Sequence, residues 1–86
     1  MNLPNNVRDR IKGLSTSEYE GSITIRFENG HTLTITEAEG VYVCAMNEGY
    51  NSLGDYHPGS STQAQANDLI PIIDMVAHEP AKPSLG

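Results

Sequence analysis

The chain has 86 residues and a mass of 9.3 kDa, room for one small domain. Eleven acids against five bases give a net charge of −6 and a pI near 4.7, which argues against a protein that holds nucleic acid by neutralising phosphates. No apolar run approaches the roughly 18 residues of a membrane span, the first residues lack a basic-then-apolar leader pattern, and a single Cys cannot close an internal disulfide, so neither a membrane protein nor a secreted scaffold is expected.

Leu3, Val7, Ile11 and Leu14 recur at helical spacing, with Pro4 suited to a first turn and Gly13 to a stop. The spacing predicts a helix over residues 3–12. Residues 15–20 are polar and read as a connection. Ser22–Glu28 and His31–Thr36 then alternate apolar and polar, are rich in β-branched residues, and flank Asn29-Gly30, a strong hairpin signal.

A two-residue turn would set Ile23 and Ile25 on the face opposite Leu33 and Ile35. A one-residue slip repairs this, because side chains alternate faces along a strand. The expected loop is therefore Glu28-Asn29-Gly30, with Ile25 opposite Leu33, Ile23 opposite Ile35, Phe27 meeting His31, and Gly30 left-handed in a bulge.

Glu37–Gly40 reads as a tight connection, and alternation beyond Thr36 would turn Glu37 and Glu39 toward the core, so the strand is expected to end or twist there. Val41–Met46 is a third strand, apolar on both sides and so either central or covered by a helix. Asn47–Gly59 is a long run of turn residues carrying Tyr50, Tyr56 and His57, the kind of loop that often carries function. Ser60 with Gln63 three residues on reads as a capping box for a second helix, whose stripe runs Ala66, Leu69, Ile70, Ile73, Val76, Ala77. Pro71 within that stripe is expected to kink or split it. The expected fold is thus α+β in the order α-β-β-β-α, a three-stranded antiparallel sheet packed on two helices. It forms a single domain over residues 1–78 with a loose tail over 79–86.

Catalytic signals are weak. His31, His57, His78 and Cys44 match no metal-ligand spacing, Cys44 sits on an apolar strand without a nearby base, and no triad or phosphate-loop motif occurs. No enzyme activity, metal or cofactor is expected.

The charge layout says more. Residues 1–12 carry Arg8, Arg10 and Lys12 against Asp9, whereas residues 13–79 carry ten acids against Arg26 alone. In the register above, Glu18, Glu20, Glu37 and Glu39 gather at the open end of the hairpin. Each i, i+2 pair spans about 6–7 Å if extended, close to two phosphate steps of one DNA strand. Carboxylates arrayed on a small body can occupy a protein groove built for nucleic acid, steered in by its Lys and Arg. The expected partner-binding residues are Glu18, Glu20, Glu37, Glu39 and Glu48, with Tyr50, Asp55 and Tyr56 adding packing. An alternative is an assembly module that oligomerises through a sheet edge or its helices.

Two resemblances bear on this. The α-β-β-β-α order is similar to double-stranded-RNA-binding domains, but Ser60–Asp68 has no Lys or Arg where that family holds phosphates, so RNA binding does not carry over. An acidic domain with a short first helix, an Asn-Gly hairpin over Ser22–Thr36 and then Glu37-Ala38-Glu39 resembles phage-encoded inhibitors of bacterial defence, DNA-mimicking anti-CRISPR proteins above all. The likeness covers residues 1–50 in architecture and charge. It implies a stoichiometric inhibitor in the bacterial cytoplasm that fills the basic nucleic-acid groove of a CRISPR effector or other defence complex, without touching nucleic acid or membrane itself.

Overall fold

The β-branched alternation of residues 22–36 does form the centre of the molecule. The computed structural model describes residues 3–50 and 53–81. Among these the order is α1 (Asn5–Ile11), β1 (Ser15–Tyr19), β2 (Ser22–Arg26), β3 (Thr32–Ala38), β4 (Val41–Met46), β5 (Gly49–Tyr50), β6 (Tyr56–His57), β7 (Ser60–Ala64) and α2 (Leu69–Ala77), the last preceded by a 3₁₀ turn at Ala66–Asp68. The fold is α+β, as expected. Its antiparallel sheet has five strands in the order β1-β2-β3-β4-β7, while β5 and β6 form a separate two-stranded ribbon.

The central hairpin has the expected register. Ile25 stands opposite Leu33 and Ile23 opposite Ile35. The Phe27 N–H donates to the His31 carbonyl at 2.9 Å, the Gly30 N–H donates to the Phe27 carbonyl at 3.0 Å, and Gly30 has φ +87.

Two elements correct the three-stranded expectation. Residues 15–20 are not a connection: Ser15–Tyr19 is an edge strand paired with β2, and all five residues are exposed. With no apolar side to bury, it carries no hydrophobic alternation to betray it. Its turn is Glu20-Gly21, both at positive φ (+45 and +79), which suits the twist of a two-residue hairpin. Ser60 likewise caps no helix. Ser60–Ala64 is a strand that pairs with β4, which makes the doubly apolar β4 central.

Pro71 causes no kink. Helix α2 begins at Leu69, so the proline stands in the first turn, where its missing N–H breaks no helical bond. Strand β3 also outlasts the expected end near Thr36 and runs to Ala38 before a second positive-φ turn at Glu39-Gly40 (+50 and +83). Glu37 does face the helix side, opposite Tyr42, and is exposed there.

One sheet face is the core. Ile23, Ile25, Leu33, Ile35, Tyr42 and Cys44 pack with Val7 and Ile11 of α1 and with Leu69, Ile73 and Val76 of α2. An ion pair of 2.6 Å between Arg10 and Asp74 joins the helices. Asn29 ties the hairpin turn to the end of α2: its Nδ2 donates to the carbonyls of Val76 (2.9 Å) and Glu79 (3.2 Å), and its Oδ1 accepts the His31 N–H at 3.0 Å. His31 in turn accepts from Asn47 Nδ2 at Nδ1 (2.9 Å), so its Nε2 carries the proton donated to the Pro80 carbonyl at 2.7 Å. The first residues of the segment read as a tail are thus hydrogen-bonded to the turn, and 82–86 lie outside the described residues.

Candidate functional site

The opposite sheet face is built from the polar half of the same alternation. In β1, β2 and β3 the outward positions are Ser or Thr except for Tyr19 and Ala38 at one end and Arg26 at the other. Hydroxyl pairs link neighbouring strands, Ser22 with Thr36 at 2.8 Å and Thr24 with Thr34 at 3.1 Å. Each hydroxyl can donate once and still accept, so the floor is polar and internally braced.

The β5–β6 ribbon folds back over this face. Between them is a groove of about 390 Å³. Ser17, Ser22, Thr24 and Thr34 form its floor, Tyr19 and Glu20 one wall, and Glu48, Gly49, Tyr50 and Tyr56 the other. Tyr50 and Tyr56 meet edge to face, with ring centroids 5.5 Å apart at 60°. Tyr56 lies beside Glu48, and its phenol is pushed above its ordinary 10.0 by loss of solvent first and by the Glu48 carboxylate second. All three tyrosines remain largely exposed: Tyr19 and Tyr50 at 76%, Tyr56 at 53%. A larger hollow of about 740 Å³ at the root of the ribbon is lined by Thr32, Met46, His57, Pro58 and Ser60 among others, with Glu48 as its one carboxylate.

The expected partner-binding residues divide into two groups. Glu18, Glu20, Glu37 and Glu39 do share one end of the sheet, because the β1–β2 and β3–β4 turns lie side by side, about two strand spacings or 10 Å apart. All four are exposed, and the ion pairs among the described residues, Arg10–Asp74 and Lys12–Asp9, do not involve them. Glu20 and Glu39 stand in turns, not extended strand, so the spacing inside each i, i+2 pair is set by turn geometry. Arg26 lies at the opposite end, beside Ser15 and Thr32. Glu48, Tyr50 and Tyr56 leave the far end of β4 but are carried back by the ribbon to Glu20. Asp55 sits on the exposed part of the ribbon and does not line the groove.

Sequence reasoning missed Tyr19 and the hydroxyl floor. The missed signal is the Glu20-Gly21 dipeptide, which turns a polar run back onto a strand.

Cys44 is buried on the far side of the sheet, and loss of solvent pushes its thiol above the ordinary 9.0. Among the described residues no group of three or more His, Cys, Asp and Glu gathers to hold a metal, and no helix is long and apolar enough to cross a membrane. Compared with protein-family models, curated proteins and solved structures, the chain matches none.

Proposed function

We propose that this chain is a non-enzymatic, phage-encoded inhibitor that presents its acidic end to the basic surface of a nucleic-acid-handling protein, in the manner of DNA-mimicking anti-CRISPR proteins. The observation that carries this reading is the pairing of the two Glu-Gly turns. It gathers four exposed glutamates at one end of a rigid sheet, with the sheet's one outward arginine at the other. Such a dipolar layout orients the molecule as it approaches a cationic groove and raises its association rate. The inhibitor would act in the cytoplasm of the bacterial host, bound to a CRISPR effector or another defence complex.

The test is capture from bacterial lysate on immobilised protein, with elution by excess duplex DNA. The expected result is recovery at low salt of a nucleic-acid-handling protein that duplex DNA displaces and that Glu37→Lys/Glu39→Lys protein captures poorly. Equal capture by wild-type and charge-reversed protein would refute the reading.

A specific observation favours the assembly alternative. Strand β7 is a free sheet edge with no charged residue, beside a small apolar hollow of about 150 Å³ between Cys44, Met46, Ile72 and Met75. Unprotected edges recruit other strands. Light scattering across a wide concentration range decides: a stable dimer lost in Thr62→Lys supports edge pairing, and a monomer throughout supports the inhibitor.

A further inference from the structure

The groove between the ribbon and the hydroxyl face has a chemistry that negative charge alone does not define. Three tyrosine rings stand around a polar floor, two carboxylates face it from opposite walls, and among the described residues none that lines it is cationic. At about 390 Å³ it falls at the small end of ligand sites. Glu48 stands beside Tyr56 at its rim, and a carboxylate has lone pairs enough to accept several donors at once.

From this we infer that the groove is a binding site for a guanidinium group, the side chain of an arginine projecting from a partner protein. The inference rests on the proposed function for the partner's positive charge, and adds where and how that charge is read. A guanidinium is planar and weakly hydrated, so it stacks on tyrosine faces. Its forked N–H groups pair with carboxylates in fixed geometry, here Glu20 on one wall and Glu48 on the other. Its remaining donors meet hydroxyl oxygens of Ser22, Thr24 and Thr34, which can still accept while Ser22 is bonded to Thr36 and Thr24 to Thr34. A lysine ammonium offers no plane to stack and is more strongly hydrated, so arginine is the better occupant. An anion, including a nucleotide phosphate, meets two carboxylates with no cation to offset them.

The experiment titrates Nα-acetyl-arginine methylamide into the ¹⁵N-labelled protein and follows amide shifts, with the lysine and norleucine analogues and N-acetylglucosamine as comparators. The expected result is saturable millimolar binding of the arginine analogue, with shifts at residues 17–24, 34, 48–50 and 56 and at least threefold weaker binding of the lysine analogue. Tyr50→Ala/Tyr56→Ala should abolish the shifts. Tyr19→Ala, on an exposed edge strand that does not support the core, should weaken them several-fold with an unchanged far-ultraviolet spectrum. Glu37→Lys/Glu39→Lys should leave them in place, since those residues do not line the groove. Equal binding of arginine and norleucine analogues, preference for the sugar, or no saturable shift would each overturn the assignment. The probe needs no partner, so loss of arginine binding with intact lysate capture rejects the groove alone, and the converse rejects the acidic-end account alone.

Discussion

Replacing Asn29 with Ala cuts the tie between the hairpin turn and helix α2. The side chain donates to Val76 and Glu79 carbonyls at 2.9 and 3.2 Å, with a weaker 3.4 Å contact to Ala77, and accepts from the His31 N–H at 3.0 Å. Each such bond contributes about 1 kcal/mol net. Asn29 is half-buried, so water recovers part of the loss, and the expected destabilisation is about 2 kcal/mol. For a domain of this size that lowers Tm by roughly 8–16 °C. Asn29→Asp keeps the acceptor but turns a carboxylate toward helix C-terminal carbonyls, where the helix dipole is already negative. It should be at least as damaging as Ala. Urea unfolding followed by circular dichroism reads both. A loss under about 0.5 kcal/mol for Ala, the level of an ordinary surface change, would refute the reasoning, as would wild-type stability of Asn29→Asp.

Gly59 has φ +70, and an added Cβ would run into the Met46 carbonyl oxygen and stand 2.9 Å from the Glu48 nitrogen, so Gly59→Ala should cost several-fold more stability than Gly21→Ala, whose Cβ meets nothing within 4 Å; thermal melts compare the two. Cys44 ionises later folded than unfolded, so its contribution is complete at neutral pH and drains away as pH rises past the ordinary thiol value of 9.0. Stability profiles from pH 7 to 10 should therefore fall less steeply for Cys44→Ala than for wild type. The Arg10–Asp74 pair is substantially exposed, so Arg10→Ala should cost under about 1 kcal/mol in the same denaturation assay.

The parts of the fold legible in the sequence are those where burial enforces a pattern. The Ile23/Ile25 and Leu33/Ile35 register could be worked out because only one slip puts all four on one face. The α1 and α2 stripes were readable for the same reason. Strands β1 and β7 were not, because Ser15–Tyr19 and Ser60–Gln63 bury nothing and owe their conformation to the neighbours they pair with. The acidic end followed from register alone. The groove did not, since it depends on a missed strand that contributes Tyr19 and on a ribbon that returns Tyr50 and Tyr56 to the sheet.

The most direct test of the central claim is the ionic-strength dependence of association with the captured partner, measured by stopped flow for wild-type and Glu37→Lys/Glu39→Lys protein. If clustered negative charge guides docking, wild-type association should slow at least tenfold between about 20 and 300 mM salt, and the variant should start slower and change little. Matching rates and matching salt slopes for the two proteins would contradict it.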